Sequence, residues 1–343
     1  MNSRLLIVVP GDSSLATLNV RIYNIISYLK EKFEVEIVSL PDREQSILGR
    51  LTAYLSIAKV VRRKEEYYCY LIKPYSLTVA LLLRLNTKSL FIDINDPLHQ
   101  RRHGGRISSF RLLSYIFVST GLVIESREYY SLIKRFFGWK KMINIEDSVP
   151  ENRYSDLVRD KDSKSILWFG SPETSKDLAG CISFFEELVR MRWSVRLLGC
   201  SESLSESYEM MGRRLGLESV NTRNSYTQQE LYAELRRAQV ALVPYFETAD
   251  SLRGNLKCKL SMAFGCFTLA SDIEMHRRLL WGNTAGGMMV KELDRATAGE
   301  LDKVICESYD EEECIKANLQ ASQLFTHRQH GKELSSFILD ATL

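Results

Sequence analysis

Short unbroken apolar runs alternate along this chain with stretches whose apolar residues recur every three to four positions. Leu5 to Val9 is the first run, as expected of a strand buried on both faces of a parallel sheet. After Pro10-Gly11-Asp12-Ser13-Ser14, the residues Leu18, Ile22, Ile25, Ile26 and Leu29 keep the helical period. Val35 to Leu40 predicts a strand, Leu51 to Val61 a helix, Cys69 to Ile72 a strand and Leu77 to Leu85 a helix. Leu90 to Ile94 and Leu122 to Glu125 predict strands around the strongly apolar helix Arg111 to Ser119, and Met142 to Ile145 closes the series. Strands alternating with helices at this spacing predict a doubly wound parallel α/β sheet.

The polar stretch Asp147 to Lys164, with Pro150, Asn152 and many charges, predicts a linker. Beyond it the pattern repeats. Ser165 to Phe169 reads as a strand ending at Gly170, and Leu178, Cys181, Ile182, Phe185, Leu188 and Val189 mark one helix face. Val195 to Leu198 is a strand ending at Gly199. Thr227-Gln228-Gln229-Glu230 is a capping box ahead of Leu231, Leu235 and Ala238. Thr297 to Cys306, Glu311 to Leu324 and Leu334 to Leu339 read as helices. Two Rossmann-like domains are expected, 1–150 and 151–324, with 325–343 a C-terminal helix placed to pack back on the first.

Composition changes this picture little. A chain of 343 residues is long enough for two cores, and 45% hydrophobic with 26% charged residues is ordinary for a globular protein. A net charge of +3 is too small to argue for nucleic acid, and none is expected as a partner. Seven cysteines without a C-x-x-C pair suggest neither a disulfide framework nor a zinc ribbon, so a cytoplasmic, reducing location is expected. The first apolar run is too short for a signal peptide, and no run reaches the ~18 residues of a membrane span. The single glycine of Val9 to Ser14 argues against a dinucleotide fingerprint, and no Walker loop or G-x-S-x-G elbow occurs.

The chemistry concentrates in 238–278. A strand, Val240 to Val243, ends at Pro244-Tyr245. A polar loop carries Glu247, Asp250, Arg253, Asn255 and Lys257 into a short helix, Lys259 to Phe264, which stops at Gly265. A second strand, Phe267 to Ala270, ends at Ser271-Asp272. A charged loop at the carboxyl edge of a strand is where open α/β sheets bind ligands. Arg253 and Lys257 at a helix entrance, with Ser171 and Lys176 in the loop after the other strand, suit a diphosphate whose departure develops negative charge.

This segment resembles the donor-binding part of GT-B glycosyltransferases, specifically the GT4-like retaining group. Lys73-Pro74 followed by Asp93-Ile94-Asn95-Asp96-Pro97 is similar to a KP…DxxDP pattern of that group. Trp168-Phe169-Gly170-Ser171 with Lys176 matches its strand-Gly-loop-Lys element. Asn255-Leu256-Lys257 with Met262-Ala263-Phe264-Gly265-Cys266-Phe267 matches its NLK…MAxGxP element. The chain departs from the family's usual pair of Glu separated by seven residues: Leu260 stands at the second position, and the first falls near Leu252. In the family the second Glu usually holds the nucleotide ribose.

The resemblance implies a metal-independent glycosyltransferase with two Rossmann-like domains facing a cleft. It would move a sugar from a nucleotide-sugar donor to a glycan or lipid-linked acceptor in surface polysaccharide synthesis, with retention. The nucleotide sugar is a substrate, so no cofactor is expected. Donor contacts are assigned to Ser171, Lys176, Tyr226, Glu247, Arg253, Asn255 and Lys257. Acceptor contacts are assigned to Asp12, Ser13, Asn19 and Asp93, and catalytic roles to Asp96 with His99 or His103, which could orient or deprotonate an acceptor hydroxyl. Asp96, His99 and His103 also allow a zinc reading, against which Gly104-Gly105 and the flanking arginines point to a basic loop. Arg101 to Arg106 and Lys134 to Lys141 mix cations with aromatics, which suits a membrane surface at the inner face of the cell membrane. The competing readings are a catalytically silent scaffold subunit of the same fold and a nucleotide-sugar epimerase.

Overall fold

The computed structural model describes residues 3–9, 19–39, 58–59, 61–62, 66–72, 77–94, 105–157, 161–172, 174–178, 180–214, 220–245, 255–280 and 283–340. They form two compact units, one from 3–148 with 327–340, the other within 149–326. Each unit is built on a six-stranded parallel sheet.

The first sheet holds β1 (Ser3–Val9), β2 (Phe33–Ser39), β3 (Tyr67–Ile72), β4 (Ser89–Ile94), β5 (Gly121–Ile124) and β6 (Met142–Asn144), in the order β2-β1-β3-β4-β5-β6. Its helices are α1 (Ile26–Lys30), α2 (Leu77–Asn86), α3 (Gly105–Val118) and α4 (Arg127–Phe136). Period-two alternation splits each strand between two cores. Leu6, Val8, Leu71, Ile92 and Ile124 pack with Leu83 of α2 and Tyr115 and Ile116 of α3. Leu5, Ile7, Tyr70, Phe91 and Val123 pack on the other face.

The second sheet holds β7 (Asp162–Phe169), β8 (Ser194–Leu198), β9 (Val220–Arg223), β10 (Ala238–Val243), β11 (Phe267–Ser271) and β12 (Gly287–Val290), in the order β12-β11-β10-β7-β8-β9. The first strand in sequence therefore lies mid-sheet, with connections running outward on both sides of it. That is the doubly wound order, and its switch point lies between β7 and β10. The helices are α5 (Ile182–Arg190), α6 (Glu202–Arg214), α7 (Gln228–Arg237), α8 (Leu256–Ala263), α9 (Glu274–Leu280), α10 (Arg295–Glu307) and α11 (Glu311–Ser322). Trp168, Leu197 and Leu242 pack against Phe184, Phe185 and Leu188 of α5 and Leu301 of α10. Leu167, Leu198 and Ala241 pack against Leu235 of α7, Leu260 of α8 and Ile315 of α11.

The final helix, α12 (His327–Asp340), belongs to the first unit, where Leu334 and Ile338 join the core of Leu5 and Phe91. Five elements are absent from the sequence reading: α4, α6, β9, α9 and β12. Helix α4 buries only Tyr129 and Ile133, so its apolar stripe is too sparse to stand out, and Ser126 starts it by accepting the Tyr129 amide. The expected helix from Leu18 to Leu29 is instead a π-type turn at Asn19–Tyr23 followed by α1. The boundary between the two units, at Ser148 and Val149, falls within the expected linker Asp147 to Lys164, but part of that stretch is packed. Val149 and Leu157 are buried, the Val149 amide donates to Phe325 O at 2.8 Å, and β7 already starts at Asp162. Its polar residues carry no periodicity to announce that packing.

Candidate functional site

In the second unit, β10 and β7 deliver Tyr245 and Trp168 to the carboxyl side of the sheet at its switch point. The Tyr245 amide donates to Ser271 Oγ at 2.7 Å, which ties the segment leaving β10 to the end of β11. Helix α8 enters after Asn255, and Lys257 lies in its first turn. The Lys257 ammonium sits 4.8 Å from the Trp168 ring centroid and 5.5 Å from that of Tyr245. Tyr245 in turn stacks on the His276 ring, with centroids 5.4 Å apart and planes 23° off parallel. A cation held against two aromatic faces beside a helix N-terminus makes a local positive field.

Buried polar atoms without partners belong to the same group of residues. The donors Trp168 Nε1 and Asn255 Nδ2, and the acceptor nitrogen His276 Nε2, are buried and find no partner among the described residues. A buried orphan donor of this kind costs about 1–3 kcal/mol, so such groups point to a water, an ion or a ligand. His276 Nδ1 lies 2.9 Å from Ser271 O, which fixes the hydrogen on Nδ1 in the neutral ring. Burial pushes its pKa down to about 4, outweighing that bond, and the Lys257 charge pushes the same way. The imidazole is therefore neutral at ordinary pH.

The loop after β7 lies beside this group. Ser171 is half-buried, its amide donates to Thr174 Oγ1 at 2.9 Å, and its carbonyl accepts from the Thr174 and Ser175 amides. Gly199, at φ +81°, brings its backbone so close to Gly170 that a Cβ there would lie 2.1 Å from Gly170 O. Tyr226 closes the same corner by donating its hydroxyl to Gly170 O at 2.9 Å, and burial raises its pKa to about 12. Its hydroxyl hydrogen is thus committed to the loop. Lys176 lies in the 3-10 turn Ser175–Leu178.

The first unit contains a buried charge cluster that the sequence reading missed. Arg21, wholly buried, lies 2.8 Å from Asp147, 3.6 Å from Asp93 and 3.7 Å from Glu125, and donates to Ile145 O at 2.9 Å. Tyr70 donates its hydroxyl to Asp93. Burial would lower the Arg21 pKa, but Asp93, Asp147 and Glu125 together hold it above its ordinary value. Asp93, expected to meet an acceptor, is fully buried and held within this cluster.

Asp96, His99, His103, Asp12, Ser13, Glu247 and Arg253 lie outside the described residues. The backbone of Asn19 opens the π-type turn that carries Arg21. The site therefore joins Lys257 and Asn255 with Trp168, Tyr245 and His276, of which the last three were given no role from sequence. Trp168 was quoted within a motif, but nothing in its apolar strand signals an orphan indole N–H. Leu260, at the position the resemblance gives to the ribose-binding Glu, is buried in one apolar cluster with Ala263, Phe264 and Ile315. Among the described residues no group of three or more His, Cys, Asp or Glu could hold a metal ion. Burial raises the thiols of Cys181, Cys200, Cys258 and Cys314 to about 12, so they stay protonated.

No family profile matches the sequence. No curated protein matches it. Solved structures do match the fold. The pneumococcal O-GlcNAc transferase GtfA, in complex with UDP and GlcNAc, superposes with a TM-score of 0.66 at 9% identity over 84% of this chain. The match spans 60% of GtfA, so this chain covers only about three fifths of that relative. Anabaena Alr3699/HepE in complex with UDP gives 0.64 at 15% identity, covering 98% of this chain and 100% of that one. The N-terminal domain of Candida albicans trehalose-6-phosphate phosphatase gives 0.67 at 12%, covering 100% and 98%. The fold is of the GT-B type, with two Rossmann-like α/β units.

Proposed function

We propose that this protein is a glycosyltransferase that takes a nucleoside-diphosphate sugar in its second unit. The observation that carries the reading is the Lys257 ammonium at the β7/β10 switch point, with the orphan donors Trp168 Nε1 and Asn255 Nδ2 in the same group of residues. Oxygen-rich anions satisfy such donors, and a diphosphate needs fixed cations where its leaving-group charge develops. The UDP held by HepE and by GtfA supports a nucleotide ligand. In the reaction the bond from the anomeric carbon to the diphosphate oxygen breaks and one from the acceptor hydroxyl oxygen forms. The hydroxyl proton passes to a base or to the departing phosphate. Lys257, Arg253 and Lys176 would take up the charge, Ser171 and Glu247 would hold donor oxygens, and Asp96 with His99 or His103 would serve the acceptor. Retention, the GT4-like subgroup and a glycan or lipid-linked acceptor belong to this same reading.

A thermal-shift panel of UDP, GDP, ADP, CMP and dTDP tests it, because a ligand that binds the native state raises the melting temperature. One nucleotide is expected to stabilise the protein, and Lys257→Ala to weaken its binding at least tenfold. That corresponds to about 1.5–3 kcal/mol for one charge-assisted contact. Equal affinity in wild type and Lys257→Ala sinks the assignment. Binding without turnover of any nucleotide sugar would point to a scaffold, and an epimerised nucleotide sugar to an isomerase.

A further inference from the structure

One face of the first unit leaves an apolar ridge in water. Phe110, Leu113 and Phe117 recur along α3 at spacings of three and four, so they form a single stripe, and Phe110 and Phe117 are 65% and 67% exposed. Helix α2 packs beside α3 and exposes Leu81 and Leu85, four residues apart, with Leu85 80% exposed. Trp139, 64% exposed, extends the ridge, its ring centroid 5.9 Å from that of Phe117. Helix α3 buries Leu112, Tyr115 and Ile116 on its opposite side, so the exposed stripe is not needed for the core.

The ridge is bordered by cations. Arg84 and Lys141 are exposed, Lys141 donating to Asp340 O at 3.2 Å, while Lys140 is buried, with Nζ 5.8 Å from the Trp139 ring centroid and bonded to Ser119 O. Arg84 of α2 is near enough to help burial lower the Lys140 pKa to about 8. Residues 77–145 carry eleven Lys and Arg against four acids, of which Asp93 and Glu125 are buried. The sequences of α2, α3 and 137–141 contain no Asp or Glu. Exposed Phe, Leu and Trp on segments that carry cations and no carboxylates of their own match an anionic lipid surface. Aromatic and aliphatic groups enter the headgroup region while Lys and Arg meet phosphates. A second copy of the chain would set these cations against one another, so the charge works against self-association.

We propose that the face formed by α2, α3 and Trp139 docks on an anionic phospholipid bilayer. This goes beyond the nucleotide-sugar reading and stands on different residues, so failure of either leaves the other intact. The test is co-sedimentation of the full chain with vesicles of phosphatidylcholine alone and of phosphatidylcholine mixed with phosphatidylglycerol. Binding is expected to the mixed vesicles, weak or absent on phosphatidylcholine, and reduced by salt. Phosphatidylcholine brominated on its acyl chains, included in the mixed vesicles, is expected to quench a tryptophan signal that Trp139→Phe removes. The double variant Phe110→Ser/Phe117→Ser should lose about a hundredfold in vesicle affinity. Arg84→Glu should lose about tenfold. Circular dichroism melting shows whether the serine variant folds; if it does not, Arg84→Glu and the quenching decide alone. The proposal is overturned by absence of binding to anionic vesicles or by wild-type binding in the folded variants. A dimer in sedimentation velocity that Arg84→Glu or the serine variant dissociates would also overturn it, by assigning the ridge to a second copy.

Discussion

His276 shows how one side chain couples fold and site. Its ring packs flat against Tyr245 and bonds Ser271 O, which places it beneath the Lys257 ammonium's aromatic seat. Burial keeps it neutral, with a pKa near 4 against 6.5 in an open chain. Between those values the unfolded chain binds a proton that the native state refuses. The stability it allows is therefore intact above pH 6.5 and lost as pH falls toward 4. We expect His276→Asn, which can still donate to Ser271 O, to reduce the loss of unfolding free energy between pH 7 and pH 3 by about 3 kcal/mol. His327, also pushed down to about 4 by burial, supplies a residual slope in the variant. Equal slopes in urea titrations of the two proteins would show that His276 is not the titrating group.

At the scale of elements, α8 is set by its two ends. Asn255 starts it without a side-chain cap bond, and its side-chain nitrogen is buried at the helix entrance with no partner among the described residues. Gly265 stops it at φ +67°, a left-handed turn that only glycine adopts without strain, and a Cβ there would lie 2.8 Å from Ile315 Cγ1. Gly265→Ala is expected to cost about 1–3 kcal/mol in urea unfolding. It should also weaken nucleotide binding, because the strain would shift α8 and with it Lys257. An unchanged midpoint would mean that Ile315 yields freely. The capping box at Thr227 was readable directly, and both its bonds are present: Thr227 Oγ1 accepts from the Glu230 amide at 3.2 Å, and Glu230 accepts from the Thr227 amide at 2.6 Å. Helices α4, α6 and α9 were not readable in the same way. Helix α4 offers two buried side chains, and α9 is seven residues long, too short for a period to repeat.

For the whole molecule, the return of α12 to the first unit is the main consequence of chain order. Leu334 is fully buried there, among Leu5, Leu29 and Phe91. Leu334→Ala is expected to cost about 2–5 kcal/mol. A chain ending at Thr326 should therefore lose first-unit structure by hydrogen exchange while the second unit keeps its protection; full protection throughout would contradict the packing role of α12. Turnover is expected to survive EDTA. The leaving diphosphate would be met by Lys257 with Arg253 and Lys176, and the sequence offers no paired acidic metal motif. Activity that chelation abolishes and Mg²⁺ or Mn²⁺ restores would transfer that role to a metal.

Local pattern alone determined most of the strands and the sheet type, though not β9 and β12. An apolar run such as Leu5 to Val9 or Val240 to Val243 suits a strand buried on both faces of a parallel sheet, wherever the rest of the chain goes. The same locality made the loop before α8 conspicuous, because Asn255 and Lys257 stand between a strand end and a small-residue helix. Tertiary structure alone decided what surrounds them. Trp168 and His276 are brought to Lys257 by different strands and helices, and neither one's own neighbours in sequence mark it as polar and unpartnered. Arg21, Asp93, Glu125 and Asp147 come from four separate segments, and only the folded first unit turns an ordinary arginine into the buried centre of three carboxylates. Exposure follows the same rule. Tyr115 and Phe117 stand two residues apart on α3, and helical geometry together with the sheet beneath sends the first into the core and the second into water.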